Sequence, residues 1–101
     1  MGLGSRDEIV REFERAAVEV IEMKAHGLPS RKTLEILRAD PRQSLEAFYD
    51  RYMETAAKFK KRDPSLIGGT FWMRPKAARE KTWALLERCR DLALRYQMCD
   101  E

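Results

Sequence analysis

The chain has 101 residues, 44% of them hydrophobic and 37% charged, with a formal net charge of +3. That length suits one domain with one core, the apolar fraction is too high for wholesale disorder, and so small a net charge does not by itself argue for nucleic acid. Two cysteines, Cys89 and Cys99, and a single histidine supply neither a closed zinc site nor a secreted-type disulfide framework, so no metal or cofactor is expected and a reducing cytoplasm is the expected compartment.

The opening MGLGSRDEIV has no long apolar run, so neither a secretion signal nor a membrane anchor is expected. Arg6 stands where a myristoylation pattern needs Ser or Thr. Ser5 and Glu8 fit the reciprocal capping pattern, and Ile9, Phe13, Ala16, Ala17, Val20 and Ile21 then recur at three- and four-residue spacing. A helix over about 6–26 follows, with one stripe committed to the core. Gly27 can take the left-handed conformation that ends it, Leu28 can fold back onto the last turn, and Pro29 forbids continuation. His26, near that end, suits a capping role rather than a catalytic one.

A short second helix is expected over 30–39 with Leu34 and Leu37 inward, closed by Asp40-Pro41 because the residue before proline is pushed out of helical geometry. The same Asp40 can cap a third helix over 41–61, with Pro41 at its first position. Leu45, Phe48, Tyr49, Tyr52, Met53, Ala56 and Phe59 make a wide apolar arc along it. Two helices meeting at a short turn invite comparison with a helix-turn-helix, but the would-be recognition helix exposes Glu46, Asp50 and Glu54, which would meet phosphates with the wrong sign.

Residues 63–74 have no periodicity and are expected to form a loop. The last helix is expected over 75–97, with Ala78, Thr82, Leu85, Cys89, Leu92 and Tyr96 on one line. Cys89 in the middle of that stripe should behave as a small buried hydrophobe, while Cys99 lies in a fraying tail. No alternating strand pattern and no repeat appears, so the fold class is all-α, a small bundle of three long amphipathic helices and one short one. Helices one and three are expected to lie antiparallel, with the short helix in the crossover.

Charge is unevenly spread: residues 1–57 carry nine basic and eleven acidic side chains, residues 58–95 eleven basic and four acidic. The basic half includes GGTFWMRPKAAREKTW, residues 68–83, which holds both tryptophans of the chain. On a helical projection Trp83 and Leu94 fall roughly opposite Ala78, Leu85 and Tyr96, with Arg79 and Arg90 beside them. An indole on that side needs cover, either from the loop carrying Phe71 and Trp72 or from a second chain. Interface cores favour Trp and Arg, so Phe71, Trp72, Trp83, Leu94, Arg79 and Arg90 form the candidate partner-binding set.

A weaker candidate joins Gly68 and Gly69 to the first amides of the last helix and to Arg74, Lys76 and Lys81 as a cradle for an anion. Its spacing is not that of a P-loop, and no strand precedes it. The cations of KFKKR, residues 58–62, could extend such a surface towards single-stranded nucleic acid, although basic residues at a helix C-terminus are stabilising with no ligand at all. With one histidine, no paired carboxylates set apart from the helix surface and no glycine elbow around a serine, an enzyme is not expected. The function expected is that of a small non-catalytic helical interaction protein, an accessory or regulatory factor binding a protein partner or itself through the 70–94 region. The alternative is a nucleic-acid or phosphate-ligand module built on the basic half.

Overall fold

A computed structural model of the chain describes residues 5–23, 28–61 and 75–99. Every regular element among them is a helix: α1 (Arg6–Glu22), α2 (Arg31–Ala39), α3 (Pro41–Lys61) and α4 (Lys76–Met98). Local chemistry accounts for each start. The Ser5 side chain accepts from the Glu8 amide at 3.2 Å, and its hydroxyl donates to the Glu8 carboxylate, also at 3.2 Å. At α2 the box is complete in both directions, because Ser30 Oγ accepts from the Thr33 amide while Thr33 Oγ1 accepts from the Ser30 amide at 3.1 Å. That pairing has no glutamate in it, and the sequence pattern above passed over it. Asp40 closes α2 and opens α3: its amide donates to the Ile36 carbonyl at 2.7 Å, and its carboxylate accepts from the Gln43 amide at 3.2 Å.

α1 is shorter than expected. It ends at Glu22, with Met23 as its cap, and residues 24–27, which include His26 and Gly27, lie outside the described residues. Leu28 is buried in the core, beside the buried ring of Pro29.

The course of the chain also departs from expectation. Arg6 at the start of α1 and Arg42 at the start of α3 both lie over the ring of Tyr96, near the end of α4, at 5.3 and 6.0 Å. The Thr82 hydroxyl, early in α4, lies 3.9 Å from Met23 Sδ. α1 and α3 therefore run in the same direction, and both are antiparallel to α4. The reversal is made by α2, which runs back beside α1, where Arg38 meets Glu14 at 2.9 Å. Nine residues of helix return the chain by roughly 13 Å at 1.5 Å per residue, so α3 starts level with the first half of α1 instead of at its end.

The core lies where the four elements meet. Phe13, Ala17, Leu37, Leu45, Leu86 and Cys89 are all shut off from solvent. The Phe13 and Phe48 rings meet edge to face, centroids 5.1 Å apart and planes at 84°, a geometry that sets the positive edge of one ring against the negative face of the other. Ser44 is buried as well, and its hydroxyl donates to the Thr33 carbonyl at 3.1 Å, tying α3 to α2. Thr82 is buried and returns its hydroxyl to the Ala78 carbonyl at 2.9 Å. Met53, counted in the apolar arc of α3, is instead 50% exposed. It sits at the edge of that arc, away from the Phe48 and Tyr52 side chains that pack on α1 and α4.

Candidate interaction surface

Position along α4 decides what each candidate residue can do. The helix is sandwiched between α1 and α3 and needs two packing faces. Thr82, Cys89, Leu92 and Tyr96 are buried, and Leu85 packs against the core from one flank. Trp83 stands about 120° round the helix from Cys89 at 3.6 residues per turn, and this is the side that α3 takes. The indole stacks on Tyr52 with ring centroids 5.5 Å apart and planes at 28°. Arg90, two turns further on, lies over the same Tyr52 ring at 5.4 Å. The expectation that Trp83 faces away from the bundle is thus corrected: it packs against the core, and its cover comes from α3 of its own chain, while Leu94 is partly buried.

The indole is not sealed in, however, and keeps part of its surface in solvent. Arg79, one turn earlier, is also partly buried, whereas Lys76, Lys81 and Ala84 are exposed. Phe71, Trp72, Gly68, Gly69 and Arg74, and with them the expected loop over 63–74, lie outside the described residues, as do the side chains of residues 59–61. The structure brings together Trp83, Arg90 and the unanticipated Tyr52. A signal for Tyr52 was present: apolar and aromatic residues occupy two stripes of α4, and a helix with two stripes has neighbours on two sides.

Electrostatics round this seam are largely satisfied from within. Arg90 donates to Asp91 at 2.8 Å through Nη2 and at 2.9 Å through Nε. Arg88 reaches Glu12 of α1 at 2.9 Å. Burial pushes the Tyr52 hydroxyl above its ordinary value of 10.0, with Arg90 pulling the other way. Two arginines of the basic half, Arg88 and Arg90, are therefore engaged inside the fold.

Cys89 is fully buried, and desolvation pushes its thiol from an ordinary 9.0 up to about 12. Cys99 is partly buried against the core instead of lying free in a tail, and its carbonyl accepts from Arg6 at 2.8 Å. A thiol-specific aromatic disulfide at pH 8 will label Cys99 in the folded chain and reach Cys89 only after unfolding. The pH dependence has a fixed sign. The folded chain keeps a proton that the unfolded chain releases above about pH 9, so this contribution is whole below that pH and is lost as pH rises towards 12. Unfolding free energy measured from pH 8 to 11 will fall, and Cys89→Ala will flatten part of the fall.

Among the described residues no group of three or more His, Cys, Asp or Glu side chains is placed to hold a metal ion, and no helix is long and apolar enough to cross a membrane. Comparison with family models, with curated proteins and with solved structures gives no match to this chain.

Proposed function

We propose that the chain is a small non-catalytic interaction protein that binds another protein surface through its 70–94 region, with a second copy of itself as the first partner. The observation that carries this is Trp83, a large aromatic only partly covered at the seam of α3 and α4, with exposed Lys76 and Lys81 on the same helix. Tryptophan is among the residues that most often carry the binding energy of protein contacts.

The exposed face of α4 favours self-association. It is centred on the small side chain of Ala84, and its free charges are antisymmetric about that point: Lys81 lies three residues before it and Glu87 three after, while Arg88, four after, is paired with Glu12 of α1. Two copies of α4 crossing antiparallel at Ala84 set each lysine against the other copy's glutamate, as a two-fold contact requires. Sedimentation equilibrium over micromolar to millimolar concentrations tests this. The wild-type chain is expected to dimerise and Ala84→Glu to stay monomeric, while a wild-type chain that is monomeric throughout removes the second copy as partner.

An anion-binding function has one observation in its favour. The first turn of α4 has no acidic residue, carries Lys76 and Arg79, and begins at Pro75 without a side-chain cap. Binding of a single-stranded oligonucleotide that weakens steeply with salt and is lost in Lys76→Glu/Lys81→Glu would select it.

A further inference from the structure

A cleft of about 270 Å³ lies between α2 and α3, on the side of α3 turned away from Trp83. Its apolar lining comes from Leu28, Ile36 and Phe48, and Ala47 also borders it. Its only charged lining residues are Lys32 on α2 and Arg51 on α3. Both are exposed, neither enters an ion pair among the described residues, and no acidic side chain lines the cleft.

We propose that this cleft is a docking site for an acidic peptide segment of a partner protein, which inserts one large apolar side chain between α2 and α3 and sets its carboxylates against Lys32 and Arg51. Two features select this occupant. The volume falls below the roughly 300–1,000 Å³ of small-molecule sites that enclose most of their ligand, yet it accommodates one leucine or phenylalanine side chain. Both charged lining residues are cations, one on each helix, and no carboxylate lines the cleft, so the complementary occupant is an apolar group carried on an acidic segment. Among the hydroxyls nearby, buried Ser44 donates to the Thr33 carbonyl and half-buried Thr33 accepts from the Ser30 amide, so charge and shape are the main source of specificity.

The site is independent of self-association through α4, and its test is read separately. Fluorescein-labelled ten-residue peptides of Asp and Glu, each with one central Phe or Leu, are titrated with the full chain and followed by anisotropy and by amide chemical shifts. Binding is expected to move resonances of residues 30–36 and 43–51 and to weaken about fivefold in Arg51→Glu or Lys32→Glu. Ala47→Arg, at an exposed position, should fill the cleft and weaken binding about tenfold with the amide spectrum otherwise retained. An all-acidic peptide without the apolar residue should bind at least tenfold less well. The proposal is overturned if the Phe and Leu peptides bind no better than the all-acidic one, if the shifts map to α4, or if the three variants bind as the wild type does. It is equally overturned if none of the peptides binds, or if phenylacetate occupies the cleft and the peptides do not.

Discussion

Phe13→Ala will lower the free energy of unfolding by about 3–5 kcal/mol, the range for removing a fully buried aromatic ring and leaving a cavity. Phe13 has no solvent exposure, and its ring packs edge to face on Phe48 from α3. The loss is shared between helices that the chain joins only through α2, so it falls on the whole bundle instead of on the end of one helix. Against the roughly 5–15 kcal/mol that holds a small domain together, most of the margin goes. Chemical denaturation at 25 °C will show the midpoint displaced with little change in slope. Phe13→Leu keeps the site apolar and nearly filled, and will cost about 1–2 kcal/mol.

Trp83→Ala will cost about 2–3 kcal/mol, less than a sealed ring because part of the indole is already in water. The distinguishing measurement is a double-mutant cycle of Tyr52→Leu with Trp83→Leu, in which the stacked pair should show about 0.5–1.5 kcal/mol of coupling. An indole pointing into solvent would give a single-variant effect within about 0.5 kcal/mol and no coupling. Tyr52→Phe keeps the stack and should preserve most of the stability, since the hydroxyl adds little to the contact of the two rings.

Much of the architecture was legible because it is written in local chemistry. Ser5 and Asp40 announce helix starts through groups that satisfy free amides in the next turn, and the three- and four-residue spacing of Ile9, Phe13, Ala17 and Val20 names the buried stripe of α1. Direction was harder. Nothing within α2 states that it runs back beside α1, which depends on long-range contacts such as Arg38 on Glu14.

The same limit explains the reversal at Trp83. A projection of one helix ranks its faces by apolar content and places Trp83 on the second face, but whether that face meets water depends on which neighbour arrives there. Tyr52 arrives, because α3 is antiparallel to α4 and brings its fourth turn opposite Trp83. Arg90 follows from that arrangement: it reads as a surface cation in the sequence, and the structure uses it over Tyr52 and on Asp91. A demand for outside cover on the indole no longer supports a partner. What supports one is the incomplete closure of the seam together with the charge order about Ala84.

Charge reversal on α4, followed by sedimentation equilibrium, tests that interaction most directly. Lys81→Glu should weaken dimerisation about tenfold or more, because the two-fold axis makes one substitution set two like-charged pairs against each other. Lys81→Glu/Glu87→Lys restores opposite signs at both and should return the dimer to within about twofold of the wild type. A double variant no tighter than Lys81→Glu alone, or a wild-type chain that stays monomeric at every concentration, would contradict self-association through this face.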